Sequence, residues 1–496
     1  MEGDHATTIP AGRPLTLFNS LSRSIETFTP IDSAMVRVYS CGPTVYSYAH
    51  LGNLRAYVFT DTLRRVLSWK GWSITHVINI TDVGHLTSDA DEGDDKMEAA
   101  AKKSGKTIWD VAAFYTAAFK HDIARLNIID PSRWSVATDH IAEMIDFAKA
   151  IEAHGAAYLL ETGLYFDVTK VPDYGRLAGS SPEEQGHGRI AEVEGKRHAA
   201  DFALWRNSAP GEHRQMEWES PWGKGAPGWH LECSVMSMKY LGEQFDIHTG
   251  GIDHREIHHC NEIAQNQAFT GTACTGANFW LHNNFLVDRS GKMSKSKGGI
   301  ATLNALVARG VHPLAYRLMC LSAHYRSELE FSGENIASAL TRLKRLVIAV
   351  EKAKTAAGDG KWQPYSPWTS CSDKALVEFD EKLSADLNTP AALPLLEEVL
   401  GDRKRAPGQK LRLVATMDQA LGLGLLNLSR SDLRVRPEAA DITEAEIEAE
   451  LDRRQQARGA KDFTLSDRIR DALAARGVEV MDGDALRWEW RVALDD

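Results

Sequence analysis

From Met35 to Tyr39 the chain alternates, with β-branched Val36 and Val38 on one parity, a period of two that predicts a strand. Cys41-Gly42-Pro43 ends it. Leu54, Tyr57, Val58, Leu63, Val66 and Leu67 then recur at helical spacing, with Gly71 as the stop. A second strand, Ile74 to Ile80, completes a βαβ unit, the building block of a doubly wound α/β sheet. A further strand-like run, Gln244 to His248, ends in Thr249-Gly250-Gly251, and a helical pattern from Glu256 to Phe269 follows. These read as the second half of the same sheet. Between the halves, residues 135–225 hold clustered Gly, Pro and charge and read as a less regular insertion. The first 30 residues read as a polar lead-in.

Past residue 300 the pattern becomes helical. Helices are expected over Asn335 to Lys354, Ser372 to Leu383, Pro390 to Leu400 and Lys410 to Leu423, with a loop over Asp359 to Ser370. A break at Ser429 to Pro437 precedes a small terminal unit. Its helices are expected over Thr443 to Arg458 and Asp467 to Arg476, and a short strand over Val478 to Met481. Thr443 with Glu446 three residues on is a capping-box pattern.

Composition narrows the class. With 496 residues, 43% hydrophobic, the chain can bury a large core, which excludes global disorder. No run approaches about 18 apolar residues, so no membrane span is expected. Met1 to Arg13 lacks an apolar leader, and six unevenly spaced cysteines do not form a disulfide framework, so a reducing cytoplasm is expected. The net charge of −11 means that a nucleic-acid partner would need a local basic face. Three stripes offer one: Gly401 to Leu413, Thr341 to Lys354 and Leu451 to Arg458. Each reads equally as a solvated helix face.

Two segments carry phosphate chemistry. Pro43 to Asn53 lies between the first strand and first helix, where a helix N-terminus offers free N–H groups to an anion. Within it His50 and Asn53 can donate to phosphate oxygens, and Gly52 permits close approach; a capped strand-to-helix loop is the alternative. Lys292-Met293-Ser294-Lys295-Ser296-Lys297, flanked by glycines, is either a solvated basic loop or a cationic finger able to stabilise charge at a triphosphate. A third set comprises Cys41, Cys233, His258 and Glu262. His258 and Glu262, four apart, share a helix face, and this donor set suits zinc. Because the cysteines are 192 residues apart, spacing leaves open two core cysteines and a helical ion pair. His259 and Cys260 are placed off that face.

The two phosphate segments, about 240 residues apart and in this order, resemble the His-Ile-Gly-His and Lys-Met-Ser-Lys-Ser signatures of class I aminoacyl-tRNA synthetases. The second is intact; the first departs at Leu51 and Asn53. Tyr39 to Tyr46, Asp201 to Trp205, Trp229 to Cys233, His258 to Gln265 and Lys461 to Gly477 look like the cysteinyl-tRNA synthetase family, over most of the chain. The resemblance implies an α/β fold: a class I Rossmann-like parallel-sheet catalytic domain split by an insertion, then a helical bundle and a small C-terminal α+β anticodon-binding domain. The implied division is 1–134 and 226–290 for the two catalytic halves and 135–225 for the connective insertion. The Lys292 to Ser296 loop and stem-contact region take 291–334, the bundle 335–428 and the anticodon-binding domain 438–496.

The resemblance also implies a cysteine–tRNA ligase that works through a cysteinyl-adenylate, with ATP, Mg²⁺, L-cysteine and tRNA(Cys), as a monomer. Catalysis is expected from His50, Asn53, Lys292 and Lys295, and ATP binding from His50, Gly52, Asn53, Gly251, Asp253 and Lys295. Cys41, Thr81 (with Asp82) and Trp229 are the substrate-side residues, and one zinc on Cys41, Cys233, His258 and Glu262 takes the substrate thiolate. His254-Arg255-Glu256 departs from the family's usual apolar and Pro stretch, and Trp488 and Trp490 are candidate base-stacking surfaces or, equally, core or strand residues. The insertion is expected to be structural or acceptor-binding and not an editing domain. A related ligase with an amino-sugar acceptor, or a non-catalytic tRNA-binding paralogue, are the alternatives.

Overall fold

The structure, a computed structural model, describes residues 12–83, 96–179, 194–209, 211, 214–288, 291–292, 302–366, 368–492 and 494. The expected lead-in is instead a hairpin of β1 (Thr16–Asn19) and β2 (Ser24–Thr27), held because Leu17 and Phe28 are buried. The βαβ unit follows as β3 (Met35–Ser40), α1 (Leu51–Trp69) and β4 (Ser73–Ile80). Gly71, at φ +94°, turns the chain out of α1 in a conformation that favours glycine. Two helices, α2 (Lys96–Ser104) and α3 (Ile108–Arg125), then lead to β5 (Arg133–Val136).

The stretch 135–225 is more regular than its composition suggests. Helix α4 (Ile141–Ala153) precedes an antiparallel sheet of β6 (Ala157–Leu160), β7 (Gly163–Phe166), β8 (Phe202–Asn207) and β9 (Gly225–Pro227). These strands are short, and β7 is buried on both faces, so no alternation marks it in the sequence. The second half of the main sheet comprises α5 (Trp229–Leu241), β10 (Phe245–Gly251), α6 (Ile252–Glu256), α7 (His258–Thr270) and β11 (Ala277–Asn283). The single helix expected from Glu256 is thus broken at Ile257, whose φ −122° and ψ −64° lie outside the helical range.

The main sheet is all parallel, in the order β11-β10-β3-β4-β5. Alternate strand residues feed two cores. Val36, Val38, Ile78, Ile80 and Ile247 join the cluster with Leu54 and Val58 of α1, while Tyr39, Val77 and Trp280 join the one with Leu231 of α5 and Ile263 of α7. The chain order reverses between β3 and β10, so their carboxyl ends part to leave the crevice where such sheets bind ligands.

Beyond β11 come β12 (Leu286–Asp288), β13 (Gly291–Lys292), α8 (Leu303–Ala308), α9 (Pro313–Leu321) and β14 (Leu329–Glu330). The expected bundle follows as α10 (Gly333–Ala357), α11 (Lys374–Ser384), α12 (Thr389–Gly401) and α13 (Pro407–Leu421). The terminal unit has α14 (Glu444–Gly459), α15 (Phe463–Ala475) and an antiparallel pair, β15 (Val478–Val480) and β16 (Trp488–Trp490). Thr443 and Glu446 form the capping box that their spacing predicts. Trp488 and Trp490 are buried among Ile447, Leu451 and Ile469, so they build this unit's core and offer no stacking surface. No helix among the described residues is long and apolar enough to cross a membrane.

Much of the basic charge in the three stripes is used internally. Arg342 pairs with Glu397, Lys344 with Glu489, Arg405 with Asp373, and Arg454 and Arg458 with Asp482. Lys354 and Lys410 donate to the carbonyls of Leu426 and Leu400. Arg345, Lys352, Arg403 and Lys404 stay exposed.

A buried charge cluster ties α1 to α9 and, through Arg317 Nε donating to Leu421 O at 2.8 Å, to α13 of the bundle. Asp61 of α1 accepts from Arg317 Nη2 of α9 at 2.5 Å, from Arg65 Nε at 2.7 Å and from the Ile129 backbone at 2.9 Å. Both Asp61 and Arg317 side chains are fully buried. Removing one partner strands the other charge, so Asp61→Ala should lower stability by about 3–5 kcal/mol. Urea unfolding monitored by tryptophan fluorescence checks this; a loss below about 1 kcal/mol would contradict it.

Candidate active site

The cleft above β3 and β10 has a volume of about 790 Å³. On its floor the Cys41 N–H donates to Thr249 O at 3.1 Å, joining the two strand ends. Ser40 and Thr249 hydroxyls lie 2.7 Å apart beneath it. The Gly42 N–H donates to Asn79 Oδ1 at 2.7 Å. A Cβ on Gly42 would sit 1.6 Å from Asn79 O, so only glycine lets the chain cross β4 here.

One end of the cleft is the N-terminus of α1. His50 is its N-cap: His50 Nδ1 accepts from Asn53 N at 3.1 Å, and Asn53 Oδ1 accepts from His50 N at 3.2 Å. Because Nδ1 accepts, the neutral ring carries its proton on Nε2 and can donate it to an anion. The capping and phosphate readings of this segment are therefore compatible. Gly52 is small because the His50 ring packs over it, 2.9 Å from where a Cβ would stand. Tyr316 of α9 donates to Leu51 O at 2.6 Å, and buried Arg55 donates to the carbonyls of Asn284, Phe285 and Ser327. These bonds fix the helix end against the loop after β11, whose Asn283 and Asn284 line the cleft.

The other end gathers the cysteines. Cys41, Cys233 and His258 all line the cleft, with Glu262 buried behind. One ligand atom from each of the four lies within 4.8 Å of the others. Glu262 Oε1 is buried with no hydrogen-bond donor aligned on it, although His258 Nε2 is 3.0 Å away. Two such atoms face a common point rather than each other, as ligands of one ion do. A set of two thiols, an imidazole and a carboxylate at this spread fits tetrahedral zinc.

The four groups are electrostatically coupled. Burial would raise the Glu262 carboxyl, but the imidazoles of His248 and His258 hold it at about 2. Burial would lower His258, but Glu262 and Cys41 raise it to about 10. The Cys41 thiol, despite burial, is held well below its ordinary value by a bond with Cys233 and by His259 and His254. Cys233 is pushed up by that same bond and by burial.

The structure also brings in residues the sequence leaves aside. His259, expected off the site, has Nε2 3.2 Å from Cys41 Sγ, because the break at Ile257 restarts α7 and turns it towards β10. Cys41, His248, His259 and Glu262 form a second set of convergent ligand atoms. His248 Nε2 lies 2.9 Å from Glu262 Oε2, and His259 Nδ1 lies 2.8 Å from His282 Nε2. His248 and His259 lie beneath the cleft lining, so the first set is the one that a substrate can reach. Strand parity was the available signal, since Asp246, His248 and Gly250 share one face of β10. Cys260 turns away, to Arg255 O. Glu232 is a further addition. It accepts from Thr81 Oγ1 at 2.8 Å, and burial pushes its carboxyl up to about 8.

The remaining expected residues divide. Thr81, Trp229, Gly251 and Asp253 line the cleft, Trp229 with its ring centroid 4.5 Å from that of His258. Asp82 is buried and accepts from Thr138 N and Oγ1 at 3.0 and 2.6 Å, a structural bond outside the lining. His254 of the departing segment joins the cleft wall. Lys292 lies in β13, which pairs antiparallel with β12 next to cleft-lining Leu286. Lys295 lies outside the described residues.

Residues 27–341 match the sequence profile of the family described as tRNA synthetases class I (C) catalytic domain. A cysteine-tRNA ligase of Zymomonas mobilis is 62% identical, covering 96% of this chain and 98% of its own. One from Novosphingobium aromaticivorans is 60% identical, covering 97% of each. The chain belongs to the cysteine-tRNA ligase family. It is therefore a class I aminoacyl-tRNA synthetase, and its split parallel sheet is the catalytic fold of that class. Methionyl-tRNA synthetase of Mycobacterium tuberculosis, solved with methionyl-adenylate, shares the fold at a TM-score of 0.51 and 14% identity. That match covers 82% of this chain and 92% of the other.

The two ligand sets make opposite forecasts. Cys233→Ser should abolish stoichiometric zinc, about one per chain in the native ligase, whereas His259→Asn should weaken binding no more than about 10–100-fold. Metal analysis and competition with a chromophoric chelator check this. The reverse order would place the ion on His248 and His259.

Proposed function

We propose that this ligase activates L-cysteine as cysteinyl-adenylate and passes it to the 3′-terminal ribose of tRNA(Cys). The observation that carries the reading is that one cleft joins the convergent Cys41, Cys233, His258 and Glu262 to the His50-capped end of α1. A zinc ion on those four residues would supply a soft Lewis acid that favours a thiolate over a hydroxyl.

Trp229 and Thr81 border the place where the amino acid sits. ATP, entering with Mg²⁺, lies along Gly251 and Asp253, with its phosphates towards His50, Gly52 and Asn53. The cysteine carboxylate attacks the α-phosphorus and pyrophosphate leaves. Charge then grows on the phosphate oxygens, where His50 Nε2–H, the α1 N-terminus and the Lys292–Lys295 segment stabilise it. The Asn53 backbone N–H holds the His50 ring in the donating tautomer, and the Asn53 side chain caps the His50 backbone N–H in return. No side chain need act as a strong base; positioning and charge stabilisation carry the rate. A site that requires a soft sulfur partner can reject serine by about 10⁴–10⁵-fold, which leaves the four-stranded insertion no editing duty.

Cysteine-dependent ATP–pyrophosphate exchange tests the activation step. His50→Ala should lower it about 10²–10³-fold with protein-bound zinc unchanged. Cys233→Ser should lose exchange and zinc together. Full exchange in zinc-free Cys233→Ser would overturn the role given to the cysteines.

A further inference from the structure

Beside the phosphate end of the cleft stands a group of aromatic rings that no step above uses. Tyr48, from the loop before α1, meets Tyr115 of α3 edge-on, with centroids 5.2 Å apart, and Phe114 at 6.0 Å. Phe114 and Tyr115 are themselves edge-on at 5.1 Å. Tyr115 lines the cleft, but Tyr48 and Phe114 are 40% and 46% exposed. Two large rings side by side in water, continuous with a ligand cleft, are an unusual use of surface.

Three lysines stand on the chain before Phe114, with Glu98 and Asp110 on the same two helices. Lys102 and Lys103 end α2, and Lys106 lies in the turn to α3; all three are exposed. Lys106 Nζ is 5.3 Å from the Phe114 ring centroid. The unit is anchored to the insertion: Gln215 N donates to Glu98 of α2, and Gln215 Oε1 accepts from Ile108 N of α3. Exposed rings flanked by lysines on a fixed support are what an unpaired nucleic-acid strand needs. Bases stack on the rings, and the backbone follows the cations.

We propose that Tyr48 and Phe114, with Lys102, Lys103 and Lys106, form a platform that stacks the unpaired 3′ end of tRNA as it enters the cleft. The proposal rests on the tRNA reading above, because that reading requires the terminal ribose to reach the activated cysteine. The rings are positioning residues for the second half-reaction only.

The test is a binding cycle on the full chain, independent of turnover. Native protein and Phe114→Ala are each titrated with intact tRNA(Cys) and with the same tRNA trimmed of its unpaired 3′ nucleotides. Native protein should bind the intact tRNA about 5–100-fold more tightly than the trimmed one, and Phe114→Ala should bind both alike. Tyr48→Leu should reproduce this, and Tyr48→Phe should not. Replacing all three lysines by alanine should reduce the salt slope of log K by about 2. Since Phe114 is exposed, its loss should leave the thermal midpoint unchanged. Equal discrimination between the two tRNAs by native protein and Phe114→Ala would overturn the platform, and would equally send these rings to some other partner. Failure of the activation reading would show separately, as absent pyrophosphate exchange in the native enzyme with the binding cycle intact.

Discussion

The site depends on two parallel strands that lie side by side and then separate. β3 and β10 are joined through the Cys41 N–H to Thr249 O bond, and past it their chains turn to opposite faces of the sheet. One leads through the signature loop into α1; the other leads through Gly250 and Gly251 into α6 and α7. That divergence brings a helix N-terminus, with its positive end, and a cluster of sulfur and imidazole into one cleft although they come from distant parts of the chain. Helix α5 closes the arrangement from the second core by carrying Cys233 up to Cys41.

The supports around the cleft are rigid for physical reasons. Arg55 is buried and satisfied by backbone carbonyls of the 284–285 loop and Ser327, so the phosphate end cannot drift from the wall opposite. Asp61 and Arg317 tie α1 to α9, and Lys70 with Trp69 ties its far end to Asp380 of α11. Buried charges left unpaired would be costly, so these contacts also fix how the bundle sits on the sheet.

Elements with a clean period were legible in the sequence: β3, α1, β4, the four bundle helices and the capping box at Thr443. The insertion was not, because its strands are mostly three or four residues long and β7 is buried on both faces, so no alternation develops. The hairpin at Thr16–Thr27 is held by tertiary contacts, such as Phe18 N to Asp386, which local pattern does not reveal. Around the cleft, His50, Cys41, Cys233, His258 and Glu262 were expected through the family resemblance, since spacing alone left two core cysteines and a helical ion pair open. His248 had a signal only in the strand parity of β10, and His259 had none, because its approach to Cys41 depends on how α7 restarts after Ile257. For Trp488 and Trp490 the sequence left a stacking surface and a core position equally open, and their packing with Ile447 and Leu451 decides for the core.

The central claim is that two protein sulfurs and one substrate sulfur share an ion. Cobalt(II) substituted at the site reports this directly through its sulfur-to-metal charge-transfer absorption. The account predicts a band of two-thiolate intensity in the free protein that grows by about half with L-cysteine, from two thiolates to three, and does not change with L-serine. No band in the free protein, or the same response to both amino acids, would contradict it.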